Sequence, residues 1–70
     1  MSDWPSTRAS RVLSALQRKG WEVKRQTDSH KVLSRKDWPN VVFAFRDHEE
    51  LGPSMLARFA KQTGLSPEDL

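Results

Sequence analysis

The chain has 70 residues and no Cys, which predicts a single domain over residues 1–70 and excludes disulfides and Cys-based zinc sites. No stretch approaches the ~18 apolar residues of a membrane span, and no apolar leader opens the chain, so we expect a cytoplasmic protein. The two His have no carboxylates at ligand spacing, which disfavours a metal site. We therefore expect neither a metal nor a cofactor. The net charge of +3 is the sum of +6 over residues 1–46, with ten Lys or Arg and four Asp or Glu, and −3 over residues 47–70, with two Lys or Arg and five Asp or Glu. This distribution favours a polyanionic partner but also fits a solvated mixed-charge surface.

The first predicted element is an amphipathic helix that follows an irregular lead-in at residues 1–5. Pro5 restrains the residue before it to an extended conformation, and Ser6 or Thr7 is expected to cap the first helical amides. Gly20 follows the last helical position, where a left-handed residue commonly ends a helix. Apolar residues repeat at the spacing of one helical face: Ala9, Val12, Leu13 and Leu16.

Three segments with strand patterns come next. Residues 21–26 alternate between apolar and polar side chains, and residues 30–35 follow a turn at 27–29. Residues 41–45 are rich in β-branched and aromatic side chains and follow a longer turn at 36–40. Because the connections are short, the strands are predicted to form an antiparallel meander.

A second helix is predicted to begin at Gly52-Pro53 and to end at Gly64, and Ser66-Pro67-Glu68-Asp69 begins one more helical turn. Two amphipathic helices need a common apolar surface, which one face of a three-stranded sheet provides. The predicted fold class is therefore α+β, in the order helix, three-stranded antiparallel sheet, helix. This is the topology of the double-stranded RNA-binding domain. The apolar stripe of the second helix consists of Met55, Leu56, Phe59 and Ala60.

His30 is the candidate catalytic residue, because it begins a strand after a turn and has several cations nearby in sequence. An imidazole exchanges protons near neutral pH. In RNA cleavage without a metal, a general base removes the proton of a ribose 2′-hydroxyl, whose oxygen then attacks the adjacent phosphorus, while cations stabilise the phosphoryl charge. The alternative is a surface histidine without chemistry, since no neighbour in sequence orients the ring.

The second histidine and the aromatic residues carry weaker predictions. His48 lies in an acidic stretch and is expected to be a solvated loop residue. Trp21, Phe43 and Phe45 could stack on bases, although strand aromatics of a minimal domain usually belong to its core. Trp38 lies in a predicted turn, where it suits either a partner or RNA surface or packing over the sheet edge.

Three segments, taken in order and with their spacing, resemble the HicA family of toxin–antitoxin modules, also called the YcfA-like family. The resemblance covers roughly residues 7–70, and no single segment is specific by itself. It implies the helix–sheet–helix fold, a ribosome-independent mRNA interferase activity (an endoribonuclease, hence a hydrolase) and a HicB antitoxin that blocks the active site. The segments are Lys19-Gly20-Trp21, the run Arg25-Gln26-Thr27-Asp28-Ser29-His30, and Glu50-Leu51 continuing to Lys61-Gln62-Thr63-Gly64-Leu65-Ser66-Pro67-Glu68.

The resemblance implies that His30 is catalytic and that Ser29 supports it. Two positions depart from the family pattern. Asp28 stands where many members have glycine and would repel phosphate, and Arg46 stands about where many have a histidine and could bind phosphate instead. The predicted RNA contacts are Ser29, Lys24, Arg25, Lys31 and Arg46, of which strand alternation puts the cations on more than one face.

Three functions therefore remain open at the level of sequence. The first is a metal-independent endoribonuclease that acts on mRNA and is neutralised by a HicB-type antitoxin. The second is a non-catalytic RNA-binding module on the same fold, which the departures at Asp28 and Arg46 favour. The third is a protein-interaction domain whose basic surface meets an acidic partner.

Overall fold

The structure is a computed structural model that describes residues 4–28 and 30–70. Three strands, β2 (Glu22–Thr27), β3 (His30–Arg35) and β4 (Trp38–Phe43), form an antiparallel sheet in that order, and β1 (Thr7–Arg8) pairs with β5 (Glu50–Leu51) in a separate two-stranded sheet. The predicted α+β fold of helix, three-stranded antiparallel sheet and helix is confirmed. In chain order the elements are β1 (Thr7–Arg8), α1 (Ala9–Arg18), β2 (Glu22–Thr27), β3 (His30–Arg35), β4 (Trp38–Phe43), β5 (Glu50–Leu51), α2 (Pro53–Thr63) and a 3-10 helix (Pro67–Asp69).

Both helices pack on one face of the three-stranded sheet, but the predicted stripe of α2 is wrong at Met55, which lies outside the contact and is 37% exposed. From the sheet, Leu33, Val41 and Phe43 face this core, and Trp21 lies buried beside them. Burial of such side chains contributes roughly 1.5–3 kcal/mol each relative to exposure. The interpretation of Trp21 and Phe43 as core residues is therefore confirmed. The helices contribute Ala9, Val12, Ala15, Leu16, Leu56 and Phe59.

The start of α1 is not capped as predicted. The Thr7 hydroxyl donates to the Pro5 carbonyl (2.8 Å) and makes no bond to a helix amide. Instead, the amides of Ala9 and Ser10 donate to the carbonyls of Glu49 (2.7 Å) and Asp47 (3.0 Å). The pairing of β1 with β5 brings this distant turn to the helix terminus. The backbone donors are thus satisfied by tertiary contacts, which local sequence does not reveal.

Strand β4 begins earlier than predicted. It covers Trp38–Phe43, so that the turn before it contains only Lys36 and Asp37, and Phe45 lies beyond the strand. Asp37 has a φ of 69°, a left-handed conformation that permits a two-residue hairpin turn. Pro39 is compatible with the strand because β4 lies at the edge of the sheet, where an amide donor can be missing.

Trp38 packs across the end of α2. Gly64 ends that helix with a φ of 75°, and a Cβ at this position would lie 3.0 Å from Cη2 of the Trp38 ring. The ring also meets Trp21 edge-on, with 5.9 Å between centroids, and the Arg35 guanidinium lies 5.3 Å from its centroid. Trp38 lies on the edge strand of the sheet and packs there, as one of the two alternatives predicts. Because 36% of Trp38 remains exposed, its role at a partner or RNA surface stays a prediction.

The C-terminal segment is fixed to the end of α1, and its predicted last helical turn is confirmed as the 3-10 helix. The Asp69 carboxylate accepts from the Ser66 amide (2.8 Å) and hydroxyl (3.0 Å), and lies 3.3 Å from Nζ of Lys19. Arg18 donates to the Asp69 carbonyl (2.7 Å). The Ser66 amide above all, and then the Ser66 hydroxyl and Lys19, hold the pKa of Asp69 below its ordinary value against the opposing effect of desolvation.

Candidate functional site

His30 is exposed and is the first residue of β3. It pairs across the hairpin with Thr27. Asp28 adopts a φ of 51°, a conformation that glycine enters freely and that aspartate tolerates better than most residues. The backbone at this position is therefore compatible with Asp28, where the resemblance predicts glycine. Ser29, the predicted supporting residue, lies outside the described residues.

The strand register puts His30 on the sheet face that the helices leave uncovered. Side chains of directly paired residues lie on the same face of a sheet, and alternate residues of one strand share a face. Val32 is therefore on the His30 face, together with its partners Arg25 and Val42. Val42 is 58% exposed, which shows that this face is open to solvent. We call it the open face.

A β-bulge in β2 brings two cations to this open face. Val23 pairs with Leu33, but Arg25 pairs with Val32, so that Lys24 is an extra residue without a partner on β3. Bulges redirect side chains in this way and are common beside functional sites. Consecutive strand residues ordinarily point to opposite faces, yet here both cations line one groove of about 270 Å³. Its lining is Lys24, Arg25, Val32 and Asn40.

The other two predicted phosphate-binding residues lie in a second groove, of about 350 Å³. Lys31 pairs with Phe43 and so belongs to the helix-covered side of the sheet, and Arg46 follows β4 in the loop. His48 is exposed in the loop, as predicted, but sequence reasoning missed that it shares this groove. The Glu49 amide donates to the Arg46 carbonyl (3.0 Å), and this turn brings His48 back beside Arg46. The groove also contains Gln26, Phe45, Asp28 and Asp47.

The structure thus divides the four predicted phosphate-binding cations into two pairs. Within residues 4–28 and 30–70, the single side-chain ion pair within 4.0 Å is that between Lys19 and Asp69. None of the four cations is therefore neutralised by a carboxylate within that distance, and each is available to an external anion. The pair on the open face shares that face with His30.

The described part of the chain contains neither a metal-binding cluster nor a membrane-spanning helix. No three His, Asp or Glu side chains there come together in a group that could hold a metal ion. Among the same residues, no helix has both the length and the apolar character needed to cross a bilayer.

Comparison with protein families identifies one match. A family model described as "HicA toxin of bacterial toxin-antitoxin" matches residues 9–65, which include both helices, the three-stranded sheet and His30. Comparison with curated proteins gives no match. The matched part is most of the chain, so that the family assignment rests on the whole fold and not on one short motif.

Proposed function

The chain belongs to the HicA toxin family of bacterial toxin–antitoxin systems, and from this we propose that it is an endoribonuclease that cleaves mRNA with His30 as its acid–base residue. The observation that carries the proposal is an exposed imidazole on an open sheet face that also presents Arg25. A reacting RNA backbone needs both an accessible proton acceptor and nearby positive charge. Both features are available on this face without any rearrangement of the core.

The proposed reaction uses groups of the chain and of the RNA alone. His30 accepts the proton of a ribose 2′-hydroxyl, and the oxygen forms a bond to the adjacent phosphorus. The bond from phosphorus to the 5′ oxygen breaks, and this oxygen takes up a proton from solvent. The products are a 2′,3′-cyclic phosphate and a 5′-hydroxyl end. One such acid–base group contributes about 10²–10⁴-fold in rate, and cations near the phosphate stabilise its developing charge.

Membership of a toxin–antitoxin family implies an antitoxin partner. We propose that this partner is of the HicB type and blocks the His30 surface, and that the toxin acts on mRNA in the cytoplasm. The open face is a suitable target for such a partner, because covering it would exclude RNA from His30 and from the adjacent cations at the same time. A neighbouring reading frame for a HicB-like protein is the genetic arrangement that this proposal requires.

The two histidines provide a matched test of the catalytic assignment. Expression of the intact chain in a growing bacterium should stop growth and fragment mRNA, and purified protein should leave 2′,3′-cyclic phosphate ends. His30→Ala should reduce the cleavage rate by at least about 100-fold, whereas His48→Ala should retain most of it. Cleavage should persist in EDTA, since the proposed reaction requires no metal.

Other outcomes would favour the other functions. If the intact chain and His30→Ala bind RNA equally and neither cleaves it, the chain is an RNA-binding module. If His48→Ala loses as much activity as His30→Ala, the catalytic role is not specific to His30. Binding of RNA to cations is strongest at low salt. If the chain does not bind RNA even under those conditions, the function that remains is interaction with an acidic protein.

A further inference from the structure

The proposed function does not specify on which side of the sheet the RNA lies, and each side has one cationic groove. One groove contains Lys24 and Arg25 and belongs to the open face; the other contains Lys31 and Arg46 and belongs to the helix-covered side. A single strand that reaches His30 passes along one of them. The register of the sheet and the local charge distinguish the two.

We propose that single-stranded RNA lies across the open face, with consecutive phosphates held by Lys24 and Arg25 and the reacting phosphate at His30. This inference rests on the proposed function and specifies its substrate-binding surface. The register supports it, because Thr27 pairs with His30 and Arg25 pairs with Val32. Along β3, His30 and Val32 are alternate residues of one strand, so the histidine and the groove occupy neighbouring positions of the same face.

The local charge favours the same side. The groove of Lys24 and Arg25 is lined otherwise by a valine and an asparagine and has no carboxylate. The groove of Lys31 and Arg46 includes Asp28 and Asp47, which offset both cations and repel phosphate. The groove of Lys24 and Arg25 therefore binds a polyanion more strongly, although each groove has two cations and Glu22, which pairs with Ser34, adds one carboxylate elsewhere on the open face.

The shape of the open face favours a single strand over a duplex. Val32 and Val42 are paired across β3 and β4 and form an apolar surface beside the cations, and Val42 is 58% exposed. Unpaired bases can lie on such a surface, whereas those of a duplex are stacked inside it. Aliphatic side chains contact any base alike, and we therefore expect weak sequence preference from this surface.

The test compares three double variants that each remove two positive charges. They are prepared in the His30→Ala background, so that an oligonucleotide of unmodified single-stranded RNA is bound without being cut. Lys24→Gln/Arg25→Gln should weaken binding about tenfold or more and reduce the slope of log affinity against log salt by about 1.4, or 0.7 for each lost phosphate contact. Arg8→Gln/Arg11→Gln, in a separate cleft beside the C-terminal segment, is the matched control and should change binding about threefold or less.

The third variant, Lys31→Gln/Arg46→Gln, represents the competing groove. If it loses more affinity than Lys24→Gln/Arg25→Gln, or if the latter behaves as the Arg8/Arg11 control does, the proposal is wrong.

Equal or tighter binding of a blunt duplex of the same sequence would refute the single-strand assignment. Urea unfolding of each variant confirms that it is folded. Because binding is measured without cleavage, failure of the nuclease activity with His30 intact would leave these comparisons unaffected, and the two proposals fail separately.

Discussion

Asp28, close to His30 in the hairpin, adopts a backbone conformation that glycine would adopt more easily. Its φ of 51° suits glycine, and it precedes the histidine by two positions in the sequence. Asp28→Gly should keep the turn and remove a charge that repels the substrate. A single charge several ångströms from a phosphate in water is worth ~0.5–1 kcal/mol, and RNA affinity should therefore rise about two- to fivefold in a fluorescence anisotropy titration.

Asp37→Gly is the matched control for this variant. Asp37 also has a positive φ in a hairpin turn, but it lies at the opposite end of β3 from His30. The same backbone change there should leave RNA affinity unaltered. An equal rise in both variants would mean that the net charge of the protein, and not the position of Asp28, limits binding.

Among the site residues, the sequence did not indicate how the cations are grouped in space. His30 is exposed after a turn, as its surroundings indicated. The grouping of Lys24 with Arg25 depends on a bulge, and strict alternation along the strand would have separated them. The proximity of His48 to Arg46 and Lys31 depends on a loop turn. Neither irregularity has a periodic signal in the chain.

At the level of elements, the contact between Gly64 and Trp38 joins the end of α2 to the start of β4. Gly64→Ala forces a side chain into a left-handed conformation, which costs about 1–2 kcal/mol. It also brings the new Cβ to 3.0 Å from the Trp38 ring. We therefore expect the free energy of unfolding in urea to fall by roughly 1–3 kcal/mol.

Gly52→Ala separates this effect from the general cost of losing a glycine. Gly52 has an extended backbone, with a φ of −80°, and a Cβ there would have no heavy atom within 4 Å. Because Gly52 is the N-cap of α2, where alanine is less favourable, its replacement should lower stability by less than about 1 kcal/mol. Combining Gly64→Ala with Trp38→Leu should cost less than the sum of the two single changes, since the smaller side chain relieves the contact. Strict additivity would show that backbone conformation alone accounts for the loss.

The elements that periodicity specifies were predicted, and those that depend on distant partners were not. The apolar stripes of α1 and α2 are local and repeat regularly, and both helices occur where expected. Strands β1 and β5 have two residues each and exist only because they pair across most of the chain. The amides at the start of α1 depend on that pairing for their carbonyl acceptors. A short, non-local ladder of this kind leaves no pattern in either segment.

On the scale of the whole molecule, the uneven charge along the chain becomes a difference between surfaces. The basic part of the sequence supplies all of β2 and β3, and hence the two cations and the histidine of the open face. The acidic part supplies Asp47 beside the second groove and Asp69 at the end of α1. Charge balance along the sequence therefore indicated which part of the chain supplies the cations, but not which face of the sheet presents them.

Asp69 connects the chain terminus to α1, and its ionisation should be visible in the stability of the whole fold. Its pKa is lowered, chiefly by the Ser66 amide. The stabilisation by the charged carboxylate is therefore complete above the ordinary pKa of about 4, and it is lost as pH falls through the lower pKa of the folded state. Asp69→Asn should reduce the free energy of unfolding at pH 7 by about 0.2–1 kcal/mol, the contribution of a partly exposed ion pair such as that with Lys19. This difference from wild type should disappear in urea titrations as the pH falls below about 4, with Glu68→Gln as the neighbouring control that changes little. A difference that stays constant over the whole pH range would mean that the carboxylate acts through its shape alone and that its charge does not hold the terminus to α1.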